Sequence, residues 1–329
     1  MCCSIRAFAT ELIVTMALNS QDSPHVAPQE AAGLGSKRAS TWRLVWSNGA
    51  VRTGACALAL LIFIAVAAPW LGTVDPAAID PGSINIAPGT RAPFTDLSGD
   101  SVDHLFLMGA DGFGRDMWSR VAYGARISLF VGLAVAILAV LGGGLIGLLA
   151  GYFRKLDGLL MRLMDGFMAI PNILLAIALV SMWRASLLTI ILAITIPELP
   201  RVARLLRSIV LSVREEPYVE AALALNTPTW KILWRHILPN AVAPLIVHAT
   251  YVCGSAMLVE AILSFLGIGL SPEIPTWGNI MSEGRVSFNE HPESVLFPGV
   301  FLALTVLAVN ILGDGLRDTL DPKLRKRGA

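Results

Sequence analysis

Ionisable side chains inside apolar stretches are the residues of this chain best able to do chemistry. Glu260 and His248 lie in one such stretch, and a carboxylate with an imidazole could supply general acid–base catalysis in a membrane-embedded hydrolase. They are twelve positions apart, which is about 18 Å of helix rise, so the two side chains cannot meet on one straight helix. Because charge is costly to bury in lipid, Glu260 could instead line a solute route or anchor an interhelical hydrogen bond. His248 could line the same route or pack as a hydrogen-bonded residue.

The sequence contains none of the short motifs that mark common catalytic or metal sites. It has no Gly-x-x-x-x-Gly-Lys-Ser/Thr loop for ATP phosphates, no Gly-x-Ser-x-Gly nucleophile turn and no His-Glu-x-x-His zinc motif. Its four cysteines, Cys2, Cys3, Cys56 and Cys253, have no metal-ligand or disulfide spacing. We therefore expect no catalytic residue, no metal and no cofactor in this chain.

Composition places these residues in a membrane protein. Of 329 residues, 55% are hydrophobic and 15% are charged, and the apolar residues form long runs. The net charge of +1 gives no basic field of the kind that binds nucleic acid. A bilayer span needs about 20 residues and must be helical, since lipid offers the backbone no hydrogen-bond partner. The sequence predicts six such helices, at about 55–71, 127–151, 159–182, from 187 through 196, 241–266 and 295–312.

The positions of lysine and arginine orient these spans. With the N-terminus inside, the cytoplasmic segments contain 19 basic residues and the outer segments contain 6. Both termini are therefore expected in the cytoplasm. The same orientation places residues 201–239 inside and a loop of about 72–126 outside, where it could receive a substrate-delivering protein or cap the bundle.

Residues 218–247 interrupt the apolar runs with a charged helix pair. Pro217 is suited to a first helical turn, and the alanine- and leucine-rich stretch that follows favours a helix. Asn226 tolerates the left-handed conformation that ends a helix, and Pro228 suits the start of the next one, capped by Thr227. The second helix is expected to end at Pro239. Its predicted apolar face comprises Trp230, Leu233, Trp234 and Ile237. An ordinary amphipathic surface pair would show the same pattern.

The spacing of small residues predicts one close helix–helix contact. Gly143, Gly147 and Gly151 recur at every fourth position of the second span, a spacing that lets helix backbones approach closely in lipid. The contact could lie within this chain or against a second membrane subunit, or the glycines could be incidental. We also expect a local ion pair between Arg162 and Asp165.

The helix pair closely resembles the EAA loop of ABC importer permeases. The matching residues are Glu220, Ala221, Ala222, Ile237, Leu238 and Pro239. At the position of Asn226 the family has glycine. Further segments resemble permeases of the dipeptide, oligopeptide and nickel class, so that the resemblance covers about 50–322. These segments are 109–120, 123–129, 151–153, 264–267, 277–279, 282–285 and 310–317.

This resemblance implies an all-α polytopic membrane protein with six transmembrane helices and a cytoplasmic EAA-type coupling helix pair. It implies a permease subunit in a bacterial inner membrane, with a second homologous permease, two ATPase subunits and an extracytoplasmic solute-binding protein as partners. The residues expected to contact the ATPase are Glu220, Ala221, Ala222, Asn226, Trp230, Trp234, Ile237, Leu238 and Pro239. An ATP-independent carrier is the other transport hypothesis, and it would not need the helix pair.

The expected domains follow from these boundaries. Residues 1–50 are polar and are predicted to form a disordered cytoplasmic extension. Residues 51–320 form the transmembrane domain, with the outer loop at about 72–126 and the coupling loop at about 214–239. Residues 321–329 form a basic cytoplasmic tail.

The orientation predicts which positions react with an impermeant thiol reagent. Single cysteines placed in 75–105 or beside Glu283 should be labelled from outside the cell, because both segments are expected there. Cysteines beside Lys231 or Arg325 should react only after the membrane is permeabilised. Labelling of intact cells at Lys231 would contradict both the orientation and the cytoplasmic position of the helix pair.

Overall fold

The computed structural model describes residues 45–97, 99–183 and 186–320. The expected basic tail and most of the expected extension lie outside these residues. Residues 49 and 50, assigned above to the extension, already belong to the first long helix. The α-helices are α1 (Gly49–Ala67), α2 (Met117–Tyr152), α3 (Arg154–Met168), α4 (Asn172–Met182), α5 (Leu187–Arg214), α6 (Pro217–Ala224), α7 (Thr229–Ile232), α8 (Leu238–Phe265), α9 (Trp277–Gly284) and α10 (Glu293–Leu320).

Several helices are long and apolar enough to cross a membrane, so this is a multi-pass membrane protein. By length and composition four qualify among the described residues: Gly49–Trp70, Met117–Tyr152, Thr229–Phe265 and Glu293–Leu320. A fifth span results if α3 and α4 are counted together. The expected fourth span, α5, is a continuous helix of 28 residues, but Glu198, Arg201 and Arg204 follow its apolar first half. The apolar criterion therefore supports four or five spans rather than six.

The expected third span is broken. Helices α3 and α4 meet at an angle of 88° across residues 169–171. Pro171 disfavours helical geometry for the preceding residue, and α4 begins directly after it. Helix α3 is tied to α5 by Asp157 with Arg207 and by Asp165 with Arg204, at 2.5 and 2.6 Å. Asp165 thus contacts α5, and the predicted ion pair between Asp165 and Arg162 of its own helix is wrong.

The loop between α1 and α2 contains the strands that the all-α prediction missed. Strands β1 (Thr90–Thr95) and β2 (Ser101–Phe106) form an antiparallel hairpin in which Thr90 pairs with Phe106 and Thr95 with Ser101. Phe94 and Phe106 are fully buried and pack with Ala78 and Ala110 in a small separate core. The loop is also shorter than predicted, because α2 begins at Met117 rather than near 127.

The main core forms where α2 packs against α5. The two helices run in the same direction, since Gly143 lies against Val202 and Gly151 against Val210. A Cβ atom on Gly143 would come within 2.7 Å of the Leu199 carbonyl oxygen, and one on Gly151 within 2.7 Å of the Val210 Cβ. The predicted close approach at these glycines is confirmed, and the partner is a helix of the same chain. We call the end of the bundle where α5 leads into the helix pair the pair end. The opposite end, where the loop between α1 and α2 leads into α2, is the loop end.

Filling this contact should destabilise the protein. We expect Gly143→Ala to cost about 1–3 kcal/mol of stability, because its Cβ meets backbone atoms of α5 that cannot move aside. Gly158→Ala is the matched control, since this helical glycine of α3 has nothing within 4 Å of an added Cβ. Thermal unfolding of the purified protein in detergent measures both variants. Equal unfolding temperatures for the two variants would contradict the role of close packing.

Candidate functional site

The first half of the helix pair begins and ends as its sequence predicts, but the predicted Thr227 cap of the second half is wrong, because α7 begins at Thr229 after an N-cap at Pro228. Helix α6 has Pro217 in its first turn. It ends at Ala224, and Asn226, two positions later, has a left-handed φ of 56°. The N–H of Thr227 donates to the Ala222 carbonyl at 3.0 Å, and the N–H of Asn226 to that of Leu223 at 2.9 Å. These two bonds define a Schellman motif, so asparagine keeps the turn where the family has glycine.

The second half of the pair does not end at Pro239. Helix α7 begins at Thr229, without a side-chain cap. It passes through a π-helical segment, Leu233–Ile237, directly into α8. Because Pro239 has no N–H to donate to the carbonyl four residues earlier, a local widening of the helix accommodates it. The chain is therefore one helical stretch, Thr229–Phe265, from the helix pair into a transmembrane span.

The π segment changes which residues of the pair face outward. Ile232 and Ile237 are five positions apart, as a π turn requires, and both are 0% exposed. The prediction that Ile237 shares a face with the tryptophans is therefore wrong. Trp230 and Trp234 are 66% and 69% exposed, and Leu225 at the turn is 82% exposed. The buried isoleucines thus fix a surface on which large apolar side chains are free.

The other predicted contact residues differ in their exposure. Glu220, Ala221 and Pro239 are exposed, whereas Ala222 and Leu238 are half-buried. Lys231 and Arg235 are exposed on the second half of the pair. The helix pair thus exposes large apolar side chains together with basic and acidic ones. It can bury this apolar surface against a partner of complementary shape.

Tyr218 connects the first half of the pair to the base of α8. Its ring lies 5.9 Å from that of His236, and its hydroxyl accepts a hydrogen bond from Asn240 Nδ2 at 3.2 Å. The same Asn240 nitrogen donates to the His236 carbonyl at 2.6 Å, inside the widened segment. These contacts fasten α6 to the helix that continues into the bundle, so the two halves of the pair can move together.

Glu260 lies at the loop end. It is 1% exposed and accepts a hydrogen bond from Ser264 at 2.9 Å. The hydroxyls of Ser128 on α2 and Thr276 before α9 lie near it, and its Oε2 has no hydrogen-bond partner among the described residues. The structure thus places Glu260 inside the subunit, among hydroxyl groups of neighbouring elements.

His248 lies in a groove of about 1000 Å³ at the pair end. Its ring stacks on Tyr251 at 6.0 Å, and its Nε2 has no hydrogen-bond partner among the described residues. The groove is lined by residues of α5, α8 and α10. They are Leu205, Pro239, Asn240, Ala243, Pro244, Val247, His248, Thr250, Tyr251, Asn310, Gly313, Asp314, Arg317 and Leu320. The structure therefore separates the two candidates of the apolar stretch, one in the groove and one in the interior of the opposite end.

A buried charge cluster at the loop end is the feature that the sequence reading missed. Arg120 is 1% exposed and donates to Asp111 at 2.7 Å and to Glu283 at 2.5 Å. Arg115 contacts the same two carboxylates at 2.8 and 2.6 Å. Two cations thus face two anions, which fastens the 109–120 segment to the C-terminal end of α9.

Local sequence signals could have predicted the contact between Asp111 and Arg115 in this cluster. Gly114 has a φ of 78°, and the Arg115 N–H donates to the Asp111 side chain at 3.0 Å, so the turn itself brings Asp111 beside Arg115. Glu283 lies 168 positions from Arg115 and is not predictable from spacing.

A second carboxylate of the loop is also held by its neighbours. Asp80 accepts hydrogen bonds from the Gly82 N–H, the Thr95 N–H and the Ser83 hydroxyl. Burial raises the pKa of this carboxyl, but the three hydrogen bonds outweigh burial and hold the pKa below its ordinary value. The ionised carboxylate thus connects the Pro81–Ser83 turn to β1.

The bundle, the groove and the exposed pair define a membrane transport component, and comparison with known proteins specifies the family. Residues 139–326 match the family described as binding-protein-dependent transport system inner membrane component. A probable peptide ABC transporter permease protein of Sinorhizobium fredii is 47% identical over 285 residues, covering 87% of this chain and 93% of the relative. A dipeptide transport system permease protein of Alkalihalophilus pseudofirmus is 40% identical over 291 residues, covering 87% and 91%.

A more distant relative and a solved structure agree with this assignment. An oligopeptide transport system permease protein of Bacillus subtilis is 34% identical over 302 residues, covering 90% of this chain and 94% of the relative. A chain of the MetNI methionine ABC transporter, in an inward facing conformation, has a TM-score of 0.51 at 20% identity, covering 62% of this chain and 98% of its own. That likeness concerns the fold alone. The chain belongs to the family of binding-protein-dependent transport system inner membrane components, as an ABC transporter permease subunit whose partner ATPases hydrolyse ATP.

Removing one charge from the loop-end cluster should destabilise the protein. Glu283→Gln leaves two buried arginines facing one carboxylate, and we expect a loss of about 3–5 kcal/mol, as for other broken buried ion pairs. The exposed Glu273 lies in the segment before α9, and Glu273→Gln is the matched control. Thermal unfolding in detergent measures both. Unchanged stability of the Glu283 variant would show that the cluster does not hold the loop to α9.

Proposed function

We propose that this chain is a permease subunit that forms part of the peptide translocation pathway of an importer in a bacterial inner membrane. The relatives are named peptide, dipeptide and oligopeptide permeases, and they align over nearly their whole lengths. The partners in this proposal are a second homologous permease, two ATPase subunits and an extracytoplasmic solute-binding protein.

The proposed topology has six spans with both termini in the cytoplasm. Helix α5 supplies the span that the apolar criterion leaves out, because its 28 residues give about 42 Å of rise, more than a bilayer core requires. Its first half packs Ile190, Ile191 and Ile194 in the core. Its charged second half lies at the pair end, which this topology places at the cytoplasmic surface. The bent pair α3–α4 supplies another span.

The helix pair is proposed to couple the ATPases to the spans. The observation that carries this role is the exposure of Trp230 and Trp234 on a segment whose Ile232 and Ile237 are fully buried. Such a surface is anchored to the bundle on one side and open to a partner on the other. The other proposed contact residues are Glu220, Ala221, Ala222, Asn226, Leu238 and Pro239, of which Asn226 fixes the turn.

In the proposed mechanism the pair transmits closure of the ATPases to the bundle. ATP binding closes the ATPases and moves the docked pair, and Tyr218 with Asn240 passes the movement to α8. Reversing a two-state equilibrium from 1:99 to 99:1 requires about 5.5 kcal/mol of differential binding. Burial of two tryptophans together with ATP binding can supply a free energy of that size. His248 belongs to the pathway in this scheme, and Glu260 holds α8 to α2 and α9 at the opposite end.

Truncating the exposed tryptophan should uncouple the complex. Trp234→Ala removes a large apolar anchor, and we expect ATPase association to weaken by at least about 2 kcal/mol, or roughly thirtyfold. Glu220→Lys should also weaken it, whereas Asn226→Gly should be tolerated because glycine readily adopts a φ of 56°. Co-purification of the ATPases and ATP-driven peptide uptake in vesicles measure each variant.

Trp70→Ala is the matched control, because Trp70 is also exposed but follows α1 at the loop end. It should leave both measurements unchanged. Normal ATPase association and uptake in Trp234→Ala and Glu220→Lys would mean that the helix pair is not the coupling element.

A further inference from the structure

The groove at the pair end is lined by an unusual share of polar side chains for a membrane bundle. His248, Thr250 and Tyr251 face it from α8, and Asn310, Asp314 and Arg317 from α10. Polar residues in transmembrane helices are costly in lipid and are found where they face a protein interior or a water-filled cavity. Their convergence on one groove indicates a hydrated compartment rather than a lipid-facing or sealed surface.

Two opposite charges in this groove are unpaired. Asp314 and Arg317 are both exposed, and neither forms an ion pair within the described part of the chain. This differs from α5, where Glu198 neutralises Arg201 at 2.9 Å and both Arg204 and Arg207 bind aspartates of α3. The groove charges are therefore available to a ligand.

The spacing of these charges fits a short zwitterion. Three positions on a helix correspond to about 4.5 Å of rise and leave Asp314 and Arg317 on the same face. A dipeptide is at most about 7 Å long, so its ammonium and carboxylate can contact the two side chains together. The volume of about 1000 Å³ accommodates a peptide of a few residues.

Neutral side chains also line the groove. The His248 ring stacks on Tyr251 and its Nε2 is buried, whereas Asn310 is exposed on α10. The Asn310 carboxamide can donate to or accept from a peptide amide, whatever the peptide's side chains are. Such a wall suits a route that must pass peptides of different sequence.

We propose that this groove is a peptide-binding site on the translocation route, in which Asp314 binds the free amino terminus and Arg317 the free carboxylate. This inference rests on the proposed role in peptide import and adds the ligand chemistry, a short peptide with both ends charged. Because the proposed site recognises the termini, it does not discriminate between peptide side chains.

Equilibrium binding to the full complex tests this site without the solute-binding protein. The detergent-solubilised complex of permeases and ATPases is titrated, free of nucleotide, with radiolabelled alanyl-alanine. N-acetyl-alanyl-alanine and alanyl-alanine amide, which lack one terminal charge each, serve as competitors. Hydrogen bonds to charged groups contribute enough that the free dipeptide should bind about tenfold more tightly than either blocked form.

The variants assign each terminus to one residue. Asp314→Asn should remove the preference over the acetylated peptide and keep the preference over the amide, and Arg317→Gln should do the reverse. Asp318→Asn is the matched control, because Asp318 is exposed on the same helix but does not line the groove. It should keep both preferences.

Three results would overturn the inference. The first is the absence of saturable binding up to about 50 mM, which excludes even a millimolar site. The second is equal affinity for the free and blocked peptides, and the third is loss of both preferences together in each variant. Uptake by the wild-type complex, reconstituted with its solute-binding protein and ATP, is measured in parallel. Dipeptide uptake without groove binding defeats this inference alone, whereas absence of uptake of any peptide defeats the proposed function.

Discussion

The close approach of α2 and α5 is the contact on which the other features of the bundle depend. Gly143, Gly147 and Gly151 remove the side chains that would separate the two backbones, so α5 lies directly against α2 over about two turns. Because lipid supplies no hydrophobic driving force between helices, such van der Waals contact has to hold them. The position of α5 then determines where α6 begins and where one wall of the groove stands. A shift of α5 along α2 would move both.

The π segment makes the helix pair mechanically continuous with the bundle. Trp234, Pro239 and His248 belong to one helical stretch, Thr229–Phe265, so the exposed surface and the groove share a single element. A regular α-helix would direct Ile237 away from Ile232, and the pair would then have fewer buried anchors. Pro239 favours the widened turn because it cannot complete the regular hydrogen-bond ladder. A residue that reads as a helix end in the sequence therefore fixes the orientation of the partner surface.

The sequence predicts features that depend on the local backbone conformation. It does not predict features that depend on residues far apart in the chain. Asn226 was predictable because a left-handed helix end depends on one residue's own backbone freedom. The close approach at Gly143 was predictable as a contact, but the identity of α5 as its partner was not. The β1–β2 hairpin escaped prediction because only Phe94, His104 and Phe106 are buried in it, too few for a strand period to stand out. The break at Pro171 escaped it because both halves of that span are apolar enough to read as one helix.

The two ends of the bundle differ in how deeply their charges are buried, and this asymmetry bears on how the protein can move. At the loop end the buried Arg115 and Arg120 pair with Asp111 and Glu283, so opening that end requires breaking buried ion pairs, which is costly. At the pair end Asp314 and Arg317 are exposed and have no ion-pair partner in the described residues. The pair end also has ion pairs, Arg204 with Asp165 and Arg207 with Asp157, but these side chains are partly exposed, whereas the loop-end arginines are buried. A state open at the loop end must offer the cluster a new partner, and water or an incoming charged solute can fill that role.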